Sequence, residues 1–334
     1  MDERRSTRRK VLLAAAASPA LIWTGMARAQ PKQAPILIGW LSLYSRETAA
    51  QRFAAFKEGL AALGWKEGAQ FVIEERWADG RWERLQPLAD ELAAKKPALI
   101  VAVPLQPAAA AAKAAPQTPI VMAGPDPVAT GLVKSLARPG GTITGVASIR
   151  GELAEKYLEL LLAAAPKAKR VGFLADPNAA GGVYRQHMDA ARRSAAQYAV
   201  EARFAEAGKA EEIEPAISRL AKEGAQALIM LSGAMFLVER RRIVKLALAH
   251  RWPVVTGETE TTEEGALLSY GTDSAALYRR LAYYVDRILK GEKPGDLPIE
   301  QPTKFELVIN MKTAKTLGIK IPQSILVRAD RVIE

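Results

Sequence analysis

The chain has 334 residues, a formal net charge of +11 and no cysteine. Its length suffices for about two domains, and the lack of cysteine excludes disulfides, thiolate metal sites and a cysteine nucleophile. Basic residues are scattered rather than clustered, which argues against a nucleic-acid interface. The exception, Arg240-Arg241-Arg242, falls within a helical pattern, and we expect it on a solvated helix face.

The first thirty residues contain the three parts of a secretory signal peptide. Arg8-Arg9-Lys10 is a basic segment, residues 11–26 are uncharged and mostly apolar, and Ala27-Arg28-Ala29 fits an A-x-A cleavage site. We therefore expect residues 1–29 to be a signal peptide and the mature protein to act in the periplasm. Residues 7–12 also resemble a twin-arginine signal, so the twin-arginine and the general secretory routes both stay open.

Beyond this segment, apolar strands alternate with amphipathic helices. Strands are predicted at residues 36–41, 71–73, 98–103, 119–122, 142–147, 170–174, 201–204, 227–231, 253–255 and 266–270. Helices are predicted before Gly64 and at about residues 82–94, 108–115, 127–137, 153–164, 183–198, 211–222, 236–250 and 274–290. This alternation is typical of parallel sheets covered on both faces. We expect an α/β protein with two Rossmann-like lobes and a boundary near Arg150.

Two helices show which of their faces is buried. The helix before Gly64 carries apolar residues at a helical spacing, and so does the long helix from Ser274. The inward residues are predicted to be Phe53, Phe56, Leu60 and Leu63 in the first helix, and Leu277, Leu281, Val285 and Ile288 in the second.

The loops after the strands supply the candidate ligand-binding residues. In open α/β sheets, ligands bind beyond the carboxyl ends of the strands, and two facing lobes can enclose a shared cleft there. The candidates are Ser42, Tyr44, Ser45, Gln106 and Asp126 in the first lobe, and Asp176, Ser232, Glu258, Tyr270 and Asp273 in the second. We expect Tyr44 and Tyr270 to clasp the body of the ligand. Ser45 and Ser232 would bind its carboxylate or hydroxyl.

Two Asp-Pro pairs, Asp126-Pro127 and Asp176-Pro177, each follow a predicted strand. Aspartate at the N-cap with proline at the next position favours the start of a helix. A helix start that faces a cleft also offers free N–H groups to an anion, so capping and ligand binding both stay open. If the ligand has an amine, Asp126 or Glu258 would pair with it.

Motifs of catalysis are missing from the sequence. Its two histidines, His187 and His250, fall in predicted helices without metal-ligand spacing. There is no G-x-S-x-G elbow, no Walker loop and no G-x-G-x-x-G after the first strand. We therefore expect no enzymatic activity, no cofactor and no metal.

Segments in the middle and the carboxyl third of the chain form a recognisable set. They are Asp126-Pro127-Val128, Gly131-Leu132-Val133, residues 135–141, Thr144-Gly145, Ser269-Tyr270-Gly271, Tyr284-Val285-Asp286 with residues 288–291, Lys293-Pro294 with Asp296-Leu297-Pro298, residues 305–310, Thr313-Ala314-Lys315, Leu317-Gly318, Ile321-Pro322 and Arg328-Ala329-Asp330. The set resembles ABC-transporter substrate-binding proteins that are often labelled tryptophan/tyrosine transport proteins. The resemblance covers nearly the whole mature chain.

The resemblance implies a type I periplasmic-binding-protein fold, in which two lobes joined by three crossovers trap a small molecule by hinge closure. We place the crossovers near Arg150 and at residues 271–274 and 295–300. Residues 30–150 with about 272–297 would form the first lobe, and 151–271 with about 298–334 the second. Where the family commonly has Gly-Thr after the third strand, this chain has Pro104-Leu105, which removes a hydroxyl expected to bind the ligand.

The implied ligand is an amino acid, an aromatic compound or another small carboxylate. The implied partner is an inner-membrane permease with its ATPase, and we expect a monomer that binds no nucleic acid. Two other classes stay open. One is a ligand-sensing periplasmic module for a membrane signalling partner, and the other is a two-lobed periplasmic enzyme, which would need a catalytic base.

Overall fold

The computed structural model describes residues 34–148, 153–179, 183–302 and 304–334. The predicted signal peptide, residues 1–29, and the predicted boundary at Arg150 lie outside the described residues. In the described part of the chain, no helix combines the length and the apolar character needed to cross a bilayer.

The first sheet has five parallel strands in the order β2-β1-β3-β4-β5. The strands are β1 Ile36–Ser42, β2 Phe71–Trp77, β3 Leu99–Val103, β4 Ile120–Pro125 and β5 Ile143–Ser148. The helices α1 Ala50–Ala62, α2 Leu85–Ala94 and α3 Leu105–Ala114 lie between them in sequence. Helix α1 packs on one face of the sheet and α2 and α3 on the other. We call this sheet and the helices packed on it the first lobe.

The second sheet has seven strands in the order β12-β11-β10-β9-β8-β6-β7. The strands are β6 Arg170–Ala175, β7 Glu201–Glu206, β8 Ala227–Met230, β9 Val254–Thr256, β10 Leu268–Thr272, β11 Phe305–Asn310 and β12 Arg331–Ile333. Strand β11 runs antiparallel to β10, and the other pairs are parallel.

Helices cover both faces of the second sheet, which with them forms the second lobe. They are α4 Leu153–Ala164, α5 Val183–Gln197, α6 Ile213–Lys222, α7 Ala234–Val238, α8 Arg240–Ala249, α9 Thr259–Glu263, α11 Met311–Leu317 and α12 Gln323–Leu326. The predicted α/β class with two parallel-sheet lobes is confirmed.

The long helix α10, Ser274–Leu289, follows β10 of the second sheet but packs on the first lobe. It lies so close to α1 that a Cβ on Gly59 would come within 2.8 Å of the Ala282 Cβ. The four inward residues predicted for this helix are all buried. After α10, the Glu300 carbonyl accepts a hydrogen bond of 2.8 Å from the Ala147 amide of the first lobe, and the chain then enters β11.

Three local predictions are wrong. Residues 127–137 form turns instead of a helix, because left-handed backbone at Asp126 (φ 34°) and Gly131 (φ 72°) interrupts the helical path. The helix predicted at 236–250 is divided into α7 and α8 at Glu239. Leu63 is 40% exposed because α1 ends at Ala62, whereas the other three residues of its predicted stripe are buried.

Candidate functional site

A cavity lies between the two lobes, where the carboxyl ends of the two sheets face each other. The unfilled space in it, including the open mouth, is about 730 Å³. The first lobe contributes Tyr44, Arg52, Pro104, Gln106, Ala123, Gly124, Pro125, Ser148, Ser274, Leu277 and Tyr278 to its walls. The second lobe contributes Ala179, Ser232, Gly233, Ala234, Glu258 and Thr272.

The strand orders explain why the cavity forms at this place. In the first sheet the chain reverses its winding between β1 and β3, and in the second between β6 and β8. Loops diverge at such a switch point and leave a crevice beyond the strand ends. Tyr44 follows β1, Gln106 follows β3 and Ser232 follows β8, so the two crevices meet across the lobes.

A buried ion-pair network forms one wall of the cavity. The guanidinium of Arg52, on α1, donates to Glu258 Oε2 at 2.6 Å and to both carboxylate oxygens of Glu260 at 2.7 and 3.0 Å. The exposed fractions of the three residues are 3%, 5% and 8%. Burial lowers the pKa of Arg52, but the two carboxylates outweigh this effect and hold the pKa well above its usual value. The guanidinium is therefore charged at any physiological pH.

Two tyrosines accompany this network. The Arg52 guanidinium carbon lies 5.1 Å from the centre of the Tyr44 ring, within the range of a cation–π contact. Tyr278, on α10, is buried, and burial raises the pKa of its hydroxyl well above the usual range. Tyr44 also packs with Ala49 of its own lobe and with Leu237 of the second lobe. Aromatic surface, a charge pair and an apolar inter-lobe contact therefore meet at one point.

Ser148, the last residue of β5, places a polar atom in the cavity wall. Its side chain is 5% exposed, and its Oγ has no hydrogen-bond partner within the described part of the chain. A buried hydroxyl without a partner lowers the free energy of unfolding by roughly 1–3 kcal/mol. A ligand atom that donates to it or accepts from it would remove this cost.

Four of the predicted ligand-binding residues line the cavity: Tyr44, Gln106, Ser232 and Glu258. Gln106 also reaches across the cleft, where its Nε2 donates to the carbonyl of Asn178 at 3.3 Å.

The other six predicted residues lie outside the cavity lining, and each has a local role. Ser42 Oγ accepts from the Tyr44 amide, Ser45 Oγ donates to Thr48 Oγ1, and Tyr270 stacks on Phe305 with ring centres 5.5 Å apart. The carboxylates of Asp126, Asp176 and Asp273 accept from the amides of Ala129, Asn178 and Ala276, respectively. Asp273 thereby caps α10, whereas Asp126 closes a turn that no helix follows.

Asp176 is the most perturbed of these carboxylates. It is 7% exposed, and burial raises its pKa to about 6, although the Asn178 amide favours the ionised form. It lies directly behind the cavity wall, since a Cβ on Gly233 would come within 3.0 Å of the Asp176 Cβ. A positive charge brought into this part of the cleft would favour its ionised form.

The expectation that Arg240-Arg241-Arg242 lies on a solvated face is wrong for Arg240. This side chain is buried and donates to the Leu237 carbonyl at 3.0 Å and to Thr48 Oγ1 at 3.3 Å. Its neighbour Arg241 is exposed and pairs with Glu47 at 3.0 Å. Since Glu47 and Thr48 belong to the first lobe, the start of α8 bridges the lobes at the rim of the cleft.

Sequence reasoning missed Arg52, Ser148 and Tyr278. A signal for Arg52 was present, because it lies four positions before Phe56 and seven before Gly59 on the buried face of α1. A charge on such a face requires a buried partner or a ligand. Ser148 and Tyr278 carry no comparable signal. The described residues include no group of three or more His, Asp or Glu that could hold a metal ion.

Comparison with known proteins identifies relatives of the chain. Residues 41–333 match the family described as ABC transporter substrate binding protein. A tyrosine-binding protein of Clostridioides difficile strain R20291 is 28% identical over 267 residues, which are 79% of this chain and 76% of that protein. The crystal structure of an ABC domain in complex with L-Trp, from Streptococcus pneumoniae, is 26% identical and has a TM-score of 0.81. The match covers 90% of this chain and 100% of that one.

A third relative has a known structure without ligand. The ligand-free, open structure of a substrate binding protein with adhesive properties, from Clostridium difficile, is also 26% identical. It covers 89% of this chain and 99% of its own, but its TM-score is 0.63.

Proposed function

Because the chain belongs to the family of ABC transporter substrate-binding proteins, we propose that it captures an aromatic amino acid in the periplasm by hinge closure. The loaded form then delivers the ligand to an inner-membrane permease, whose ATPase supplies the energy. The chain is a solute-binding protein and not an enzyme. Tyrosine and L-Trp, named for two relatives, support the choice of ligand class.

The observation that carries the proposal is the combination of groups in the inter-lobe cavity. Tyr44 and Leu277 offer surface to a ring, Ser148 offers an unpartnered hydroxyl to a carboxylate, and the Glu258 carboxylate attracts an amine. These groups come from both lobes, so one ligand can contact both only when the cleft is closed. Ligand binding then favours the closed form by its differential affinity for the two states.

A calorimetric series tests the ligand class. We expect L-tyrosine, L-tryptophan or L-phenylalanine to bind the purified mature protein with one-to-one stoichiometry and to raise its melting temperature by several degrees. L-Leucine tests the need for a ring, tyramine lacks the carboxylate and 3-(4-hydroxyphenyl)propionate lacks the amine. Each should bind at least about ten-fold more weakly. The proposal is contradicted if L-leucine, tyramine and 3-(4-hydroxyphenyl)propionate bind as tightly as the aromatic amino acids. It is also contradicted if no aromatic amino acid binds.

Substitutions of tyrosine test the site. Tyr44→Ala should weaken binding at least about ten-fold, because it removes ring surface from the cavity wall. Tyr198→Ala is the matched control, since this half-buried tyrosine packs on the core of the second lobe away from the cavity. Tyr270→Ala distinguishes the sequence-based prediction of a ligand contact from the packing seen in the structure. Loop position predicts a loss of affinity there, whereas its stacking on Phe305 predicts none. Wild-type affinity in Tyr44→Ala would refute the site.

A further inference from the structure

The ion-pair network of Arg52 joins the two lobes. Arg52 belongs to α1 of the first lobe, whereas Glu258 and Glu260 flank the start of α9 in the second lobe, 206 and 208 positions further along the chain. All three side chains are nine-tenths or more buried. The contacts therefore exist only while the lobes stay together, and opening the cleft separates every one of them.

The network shares its space with the ligand. Arg52 and Glu258 line the cavity, and Arg52 lies against the ring of Tyr44, which lines it as well. Glu260 holds the guanidinium from the other side and is outside the cavity lining. A ligand that fills the cavity thus excludes water from one side of the ion pairs while it touches only two of the three charged residues.

The energetics of such a network favour one closed geometry over intermediate ones. Burying a complete ion pair is close to neutral, because the loss of hydration offsets the attraction between the charges. Burying one of the charges without its partner is strongly unfavourable. Partly closed arrangements that dehydrate Arg52 before both carboxylates reach it are therefore disfavoured.

We propose that Arg52, Glu258 and Glu260 form a latch that is made only on closure and that sets the affinity for every ligand by the same factor. The inference rests on the proposed function, because it describes how the binding site of that function closes. Glu260 acts as a positioning residue. It holds the Arg52 guanidinium through both carboxylate oxygens and lies outside the cavity lining.

The ion pair at the rim has a different character. Arg241 and Glu47 are 64% and 77% exposed at their side chains, and such surface pairs contribute little and are screened by salt. The buried latch is shielded from added ions. Its effect on affinity should therefore persist in 1 M NaCl, where the Debye length is about 3 Å.

The test is Glu260→Gln, which keeps the shape of the side chain and removes its charge without touching the cavity. We expect the dissociation constant of each ligand to rise at least about ten-fold, which corresponds to about 1.4 kcal/mol, with the ratios between ligands unchanged. Glu91→Gln is the matched control, because Glu91 pairs with Arg76 at 2.9 Å entirely within the first lobe. It should bind as the wild type does.

Energy transfer between two attached dyes measures the closure of the cleft directly. The chain has no native cysteine, so Ala129→Cys in the first lobe and Lys209→Cys in the second can carry a dye pair on exposed loops near the cleft. Energy transfer should report a smaller closed fraction in Glu260→Gln than in the wild type, with and without ligand.

Three results overturn the latch. They are unchanged affinity and energy transfer in Glu260→Gln, altered ratios between ligands, or an effect that vanishes in 1 M NaCl. If Glu260→Gln fails to fold, Glu260→Asp takes its place, since it keeps the charge outside the cavity lining but is too short to keep the two contacts of 2.7 and 3.0 Å with Arg52. If the wild type binds no ligand of the series, the proposed function fails, while the ligand-free energy-transfer comparison still decides on the latch.

Discussion

The buried carboxyl group of Asp176 should make the protein less stable at neutral pH than at pH 4. Its pKa of about 6 lies above the ordinary value of 3.8 because burial disfavours the charged form. Between these two values the folded chain keeps a proton that the unfolded chain has released. The free energy of unfolding therefore decreases as the pH rises through this window, and it is lowest above pH 6, where both states are ionised.

The magnitude follows from the shift. A difference of about two pKa units corresponds to about 3 kcal/mol, since one unit is about 1.36 kcal/mol. About half of this amount is lost by pH 5. Asp176→Asn has no charge to bury, so its free energy of unfolding relative to the wild type should rise by about 2 kcal/mol between pH 4 and pH 8, because part of the effect is already lost at pH 4.

Urea titrations of the ligand-free wild type and of Asp176→Asn at pH 4, 5, 6 and 8 measure this difference. Using the difference between the two proteins cancels the other titrating groups. Asp126→Asn is the matched control, because Asp126 also precedes a proline and closes a turn with a hydrogen bond of 3.0 Å, but it is less buried. If the difference in the free energy of unfolding between the wild type and Asp176→Asn stays constant from pH 4 to pH 8, the reasoning is refuted.

Three further substitutions test the packing and the cavity. Ser148→Ala should weaken the best ligand about three- to ten-fold in calorimetry without lowering the melting temperature, because the free protein loses only an unpartnered hydroxyl; a lowered melting temperature would show that the hydroxyl has a structural partner. Gly271→Ala should abolish soluble expression or greatly reduce the melting temperature, because its Cβ would lie 2.0 Å from the Gly257 carbonyl oxygen; wild-type stability would contradict this close approach. Leu281→Ala, in the fully buried contact between α1 and α10, should cost about 2–5 kcal/mol in urea unfolding, and a cost below about 1 kcal/mol would mean that the two helices do not pack as described.

Much of the fold could be predicted because its signals are local. The continuous apolar runs at β1 and β3 indicate strands buried on both faces, and the spacing of Leu277, Leu281 and Val285 indicates the inward face of α10. The helix predicted at residues 127–137 fails for an equally local reason. Gly131 adopts a backbone angle that favours glycine and ends regular structure.

The site was only partly predictable, because a position in a loop does not determine where a side chain points. Tyr44 and Glu258 follow strand ends and reach the cavity. Ser42, the last residue of β1, and Asp273, which follows β10, bind nearby amides instead. Short polar side chains commonly form such hydrogen bonds with backbone groups a few residues away. Arg52 needed tertiary information, since its partners lie more than 200 positions away.

Pro104-Leu105 follows the third strand where the family commonly has Gly-Thr, so a hydroxyl expected to bind the ligand is missing there. Within the described part of the chain, the cavity contains an unpartnered hydroxyl at another strand end, that of Ser148, the last residue of β5. In a parallel sheet the ends of β3, β4 and β5 lie side by side at one edge, so a donor moved from the first to the third stays within the same cleft. Gly124, in β4, allows the backbone that follows β3 to approach closely, because a Cβ there would lie 2.7 Å from the Leu105 nitrogen. Under the proposed function, the Ser148 hydroxyl would take the place of the hydroxyl missing after β3, so Pro104-Leu105 does not argue against a ligand carboxylate.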